Sequence, residues 1–143
     1  MLPMTARHRL IYVEDHAESL ALVERLLAGR KYPLLMRAPT LDLALKAARR
    51  HRPEVMLINV ELAGMGMPEL MKLLRGQPAT RVAPILALAT DTRPSAVVKG
   101  LEAGVFLYLS KPLQAEPFIE AVAYALEFAA VERSEQPLSK ESK

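Results

Sequence analysis

The chain has no cysteine among its 143 residues. That absence excludes disulfides, thiolate chemistry and cysteine-ligated metals, and says little about redox compartment. No apolar stretch approaches the length needed to span a bilayer, so a membrane is not expected as a partner. The first nine residues carry basic charge, but no apolar core precedes a cleavage-like site, and a cytoplasmic location is the expectation. Charge of one sign is scarce in excess: 19 basic against 16 acidic residues leave +3. The densest basic cluster, Arg49-Arg50-His51-Arg52, falls at the predicted end of a helix, where cations complement the helix dipole. It reads as a solvated face, which disfavours nucleic acid as a partner. Internal repeats, low-complexity linkers and a second domain are also missing, and nothing after the last predicted helix has the length of an output module.

What is present is ordinary globular composition, 51% apolar and 24% charged, in a chain long enough for one domain with a real core. Apolar runs alternate with helical patterns, which predicts a parallel sheet covered by helices. Strands are expected at Leu10 to Val13, Leu34 to Arg37, Val55 to Ile58, Ile85 to Leu88 and Val105 to Leu109. Helices are expected over 17–28, over 40–50 behind a Thr40 cap, over 68–75 opened by proline, over 95–103 closed by Gly104, and over 116–133. Five strand-then-helix repeats with right-handed crossovers give an α/β fold: a doubly wound five-stranded parallel sheet with helices on both faces. Residues 1–7 are expected to be a flexible N-terminus, 8–133 the domain, and 134–143 a disordered polar tail.

In such a sheet the functional groups gather beyond the carboxyl ends of the strands. That rule brings together Glu14 and Asp15, Asn59, Ala89 and Thr90, and Ser110 and Lys111. Two carboxylates beside a lysine suit a hard divalent cation and a phosphate-like anion. Each fragment alone is weak: an acidic pair after a strand is equally a solvated loop capping the next helix.

The order and spacing of the fragments are specific. Ile11-Tyr12-Val13-Glu14-Asp15-His16, Pro84-Ile85-Leu86-Ala87-Leu88, and Glu102-Ala103-Gly104 followed by Tyr108-Leu109-Ser110-Lys111-Pro112-Leu113 together resemble the receiver domain of bacterial response regulators over about residues 8–130. The resemblance implies the flavodoxin-like fold and a signalling module with no catalysis of its own. In working receivers the acidic pair and an acceptor aspartate bind magnesium, with the backbone carbonyl two residues further on, here that of Glu61. A Ser/Thr after the fourth strand and the lysine contact the phosphoryl oxygens. An aromatic of the fifth strand moves inward when that hydroxyl is drawn toward the phosphate.

Carried over residue by residue, Glu14, Asp15 and Lys111 persist, and Tyr108 stands at the switch aromatic. Asn59 stands where the aspartate belongs, and an amide is neither charged nor a useful nucleophile. Ala89 falls at the hydroxyl position with Thr90 one place late, and a one-residue shift at a strand end turns a side chain to the opposite face. The loop Ala63-Gly64-Met65-Gly66-Met67 departs from the usual Pro-Gly-Met-Asp-Gly, which is expected to loosen and reshape it. Magnesium at Glu14, Asp15 and Glu61 is therefore expected to bind weakly or not at all, and no cofactor is required. Lys111 is expected to pair with Glu14 or Asp15, or to bind an anion, and Asn59 to bond the lysine or loop backbone.

These residues describe a stand-alone pseudo-receiver acting in two-component signalling through phosphorylation-independent contact with a histidine kinase, another receiver or a downstream effector. Its interaction face is expected on the fourth helix, fifth strand and fifth helix, with Tyr108, Phe118, Val122 and Tyr124, and a homodimer through that face is one form. The alternatives are a phosphorelay receiver modified at Asp15 or Glu14, and a nucleic-acid or small-ligand binder built on the same fold.

Overall fold

The computed structural model of the protein describes residues 8–30 and 33–135. Five strands run in chain order: β1 (His8–Val13), β2 (Pro33–Ala38), β3 (Val55–Asn59), β4 (Ile85–Ala89) and β5 (Leu107–Ser110). The helices between and after them are α1 (Ala17–Leu27), α2 (Leu41–His51), α3 (Met67–Arg75), α4 (Pro94–Ala103) and α5 (Ala115–Glu135). All pairings are parallel and the sheet order is β2-β1-β3-β4-β5, which confirms the predicted doubly wound topology. The expected flexible residues 1–7 and most of the expected tail lie outside the described residues, while Ser134 and Glu135 belong to α5.

The sheet is apolar on both faces, as a parallel sheet must be. Ile11, Val13, Met56, Ile58, Ile85 and Ala87 meet α2 and α3 on one side. Leu10, Tyr12, Val55, Leu57, Leu86 and Leu88 meet α1 and α5 on the other. Local chemistry sets the helix ends. Thr40 accepts the Leu43 N–H at 3.1 Å, and Glu69 accepts the Gly66 N–H at 3.0 Å. Arg52 closes α2 in the left-handed conformation behind the basic last turn of that helix. Arg75 turns back over the α3–β4 connection, where its Nη1 lies 2.9–3.1 Å from the carbonyls of Thr80, Arg81 and Ala83.

Two expectations need correction. β5 begins at Leu107 rather than Val105, because the Val105 N–H still bonds Gly100 O at the end of α4 and the Phe106 N–H makes the first bond to β4, at Ile85 O. Phe118 and Val122 are not on an interaction face: they are buried in the sheet-facing stripe of α5 with Ala121, Ala125, Leu126 and Ala129. Their spacing puts them on one side of the helix and Tyr124 on the other, where it is 66% exposed.

The register matters most for function. Val13 lies beside Ile58, Asn59 beside Leu88, and Ala89 beside Ser110, so these strands end level at one edge. The difference between the two faces of α5 is measurable. Phe118→Ala is expected to lower unfolding stability by about 3–5 kcal/mol, and Tyr124→Ala by no more than about 0.5 kcal/mol, in urea denaturation followed by circular dichroism.

Candidate functional site

Glu14 follows β1 directly, and its N–H donates to Ala38 O at 3.0 Å, which continues the strand's pairing and turns the side chain inward. The carboxylate is 1% exposed. A buried charge is costly unless its lone pairs are filled. Four neutral groups fill them: Tyr12 Oη–H at 3.1 Å, the Asp15 and His16 N–H groups at 3.2 Å, and Asn59 Nδ2 at 3.1 and 3.0 Å from the two oxygens. No salt bridge reaches Glu14 among the described residues. Burial, then the neighbouring Glu14 charge and the bond to it, push the Tyr12 hydroxyl pKa up, so it stays a donor.

Asn59 is the last residue of β3 and is itself buried. Its Oδ1 accepts the Glu61 N–H at 3.1 Å, capping a single turn of 3-10 helix over Val60–Leu62. The network fixes the amide's orientation, because reversing it would set oxygen against carboxylate and NH2 against N–H. The loop after β3, expected to be loosened, is thus drawn into a capped turn at its start.

That turn carries Glu61 toward the next two loops. Its Oε2 accepts from both the N–H and the Oγ1–H of Thr90 at 3.1 Å, and its Oε1 lies 3.6 Å from Lys111 Nζ. Partial burial pushes the Glu61 carboxyl up, but the two Thr90 bonds and the Lys111 charge outweigh it and hold the pKa below the usual range. Lys111 is positioned by its own N–H, which donates to Ala89 O at 2.8 Å, and the Lys111–Pro112 peptide is cis. Two expectations are corrected here. Lys111 pairs with Glu61 and not with Glu14 or Asp15, because Glu14 is enclosed by neutral donors and Asp15 is exposed. Thr90 is not turned away from the site: it lies past the end of β4, where the strand's alternation no longer fixes its side chain. Ala89, fully buried, offers only a methyl group.

Tyr108 is half-buried and its hydroxyl donates to Asp91 O at 2.8 Å, one residue beyond Thr90. Its ring lies against Gly100 of α4 so closely that a Cβ there would meet Tyr108 Cδ2 at 2.9 Å. Asp91 in turn is bound by Arg93 at 2.8 and 2.9 Å, and that pairing lowers its pKa to about 2.

The sequence reading placed Glu14, Asn59, Thr90 and Lys111 together but missed the Glu61 side chain and the Tyr12 hydroxyl. A carboxylate two residues beyond Asn59, with a hydroxyl displaced to position 90, was the available signal for Glu61. The donor set does not suit magnesium. Glu14 is already filled by an amide and three other donors, and Glu61 faces Thr90 and Lys111. Asp15 and Glu61 present exposed carboxylates, but that of Glu61 is already engaged by Thr90 and Lys111, and no group of three acidic or imidazole side chains is disposed to hold a metal among the described residues.

A five-stranded parallel sheet with an acidic pair, a lysine loop and an aromatic at its carboxyl edge defines a receiver. The profile of the response regulator receiver domain matches residues 10–123, and the chain belongs to that family. Such domains are signalling modules of two-component systems, not enzymes, and engage kinases and effectors. It is 29% identical over 118 residues to the DNA-binding response regulator MtrA of Mycobacterium tuberculosis, covering 82% of this chain and 50% of that protein. The chain thus spans about half the length of MtrA. It is 26% identical to the polar-differentiation response regulator DivK of Brucella anthropi, over 79% of this chain and 91% of DivK. The receiver domain of the sensor histidine kinase PA1611 from Pseudomonas aeruginosa, solved with magnesium in its active-site cleft, superposes with a TM-score of 0.72 at 21% identity, covering 85% and 99% of the two chains. At that identity it shows the fold alone. No helix among the described residues is long and apolar enough to cross a membrane.

Asn59→Asp would set a second carboxylate against the buried Glu14 carboxylate. It is expected to cost about 2–4 kcal/mol without divalent cation, with part of the loss restored by millimolar Mg²⁺ in thermal unfolding. Gly100→Ala, which elsewhere in a helix gains about 1 kcal/mol, is expected to destabilise by a similar amount because of Tyr108. In a Tyr108→Ala background the same change is expected to stabilise by about 0.5–1 kcal/mol.

Proposed function

We propose that this receiver acts in two-component signalling by protein contact, without phosphorylation at position 59. The observation that carries the reading is the Asn59 amide, whose nitrogen lies within 3.1 Å of both Glu14 oxygens. A group so placed supplies no nucleophile for phosphoryl transfer. It also gives the buried Glu14 carboxylate its hydrogen bonds without a cation, so on this reading magnesium is not required and at most weak binding is expected.

The contact surface on this reading is the face formed by α4, β5 and α5. β5 is the edge strand, and Val98, Leu101 and Tyr124 are exposed around it. A cytoplasmic kinase, a second receiver, a downstream effector or a second copy of this chain fits that face. One observation favours the alternative of phosphorylation at Asp15, namely its exposure; Glu14 is a poor acceptor because both its oxygens are already hydrogen-bonded. Nucleic acid is the weakest reading, since the basic cluster closes α2 rather than lining this face.

Intact-mass measurement after incubation with acetyl phosphate and Mg²⁺ separates these readings. Wild type is expected to gain no phosphoryl group, while Asn59→Asp gains one. A labelled wild type, with the modification mapped to Asp15, would establish the alternative instead.

A further inference from the structure

We propose that Glu61 is the resident anion of the Thr90–Lys111 cradle, so that this receiver carries its own carboxylate where phosphorylatable relatives receive a phosphoryl group. The inference deepens the proposed function and rests on its reading of position 59. Three donors converge on one side chain: Thr90 N and Thr90 Oγ1, both 3.1 Å from Oε2, and Lys111 Nζ, 3.6 Å from Oε1. A backbone amide, a hydroxyl and an ammonium are the donor types that hold a tetrahedral oxyanion, and a carboxylate satisfies them with two oxygens.

An exposed ion pair alone would hold Glu61 only weakly. Here the carboxylate is aimed before it is bound. The Asn59 side chain captures the Glu61 N–H at 3.1 Å and starts the 3-10 turn, which fixes where Glu61 leaves the backbone. Lys111 is set by its N–H to Ala89 O, so the lysine and the Thr90 loop approach from adjoining strand ends. The side chains at 59, 61 and 90 therefore form one unit. The acid stands at position 61 rather than 59, the hydroxyl at 90 rather than 89, and Asn59 links the turn that carries Glu61 to the buried Glu14.

The seated carboxylate also reaches the α4 surface. Thr90 is followed by Asp91, whose carbonyl holds the Tyr108 hydroxyl at 2.8 Å, and Tyr108 rests on Gly100. Holding Thr90 holds the peptide that anchors Tyr108. A cavity of about 360 Å³ lined by His16, Ser19, Thr90, Lys111 and Leu113 opens beside the cradle, giving an added oxyanion access to the lysine from the α1 side.

The test is a titration of the full chain with inorganic phosphate, followed by amide NMR, for wild type, Glu61→Ala, Glu61→Gln and the double variant Glu61→Ala/Lys111→Ala. Wild type is expected to show a low-field Thr90 amide that phosphate barely moves. Glu61→Ala is expected to shift that amide upfield and to bind phosphate about 10- to 100-fold more tightly than wild type. The added Lys111→Ala removes the gain, and Glu61→Gln, equal in size but uncharged, falls between. The Tyr108 amide is expected to move with that of Thr90. An unchanged Thr90 amide in both Glu61 variants overturns the proposal, as does equal phosphate binding by wild type and Glu61→Ala. Acetyl phosphate labelling reads whether a phosphoryl group can be accepted, whereas this titration reads what occupies the cradle, so either reading can fail without the other.

Discussion

The site is organised around one constraint, a buried carboxylate that no cationic side chain reaches among the described residues. Glu14 is 1% exposed and is satisfied only by neutral donors. Such a group tolerates a neighbour that gives hydrogen bonds and rejects one that brings negative charge. The end of β3 therefore holds an amide, and the amide's other end is free to collect the Glu61 N–H. From that single contact the turn, the direction of Glu61 and the partner of Lys111 follow in sequence. The hydrogen bonds on Glu14 spread its charge over protein dipoles.

The fold was legible because its signals are local and redundant. Short runs such as Leu10 to Val13 and Val55 to Ile58 read as strands buried on both faces, and Thr40, Pro68 and Gly104 marked helix ends where they occur. The start of β5 was less legible, since Val105 and Phe106 are as apolar as the strand they precede and pairing, not composition, decides where it begins. For α5 the helical period already separated Phe118 and Val122 from Tyr124, and placing all three on one face overlooked it.

The site was legible as a gathering of residues and not as a set of contacts. The rule about strand ends brought Glu14, Asn59, Thr90 and Lys111 to one edge, and the level register explains why it works. Which carboxylate Lys111 would meet depends on the rotamer of Glu61, which depends on a turn capped by a side chain two residues earlier. Such choices are made by burial and by competition among donors, which the spacing of acid and hydroxyl signals without deciding. Thr90 is the same case: strand alternation ceased to apply one residue past β4.

The bonds between Asn59 and Glu14 also bear on how the chain can change. Asparagine and aspartate codons differ by a single base, so the residue that a phosphorylatable receiver needs is one transition away. An aspartate introduced there alone would meet an unbalanced Glu14, a lysine already paired with Glu61 and an alanine at position 89. The contacts of Asn59, Glu61 and Thr90 are made together, so the distance between two such sites is longer in structure than it is in codons.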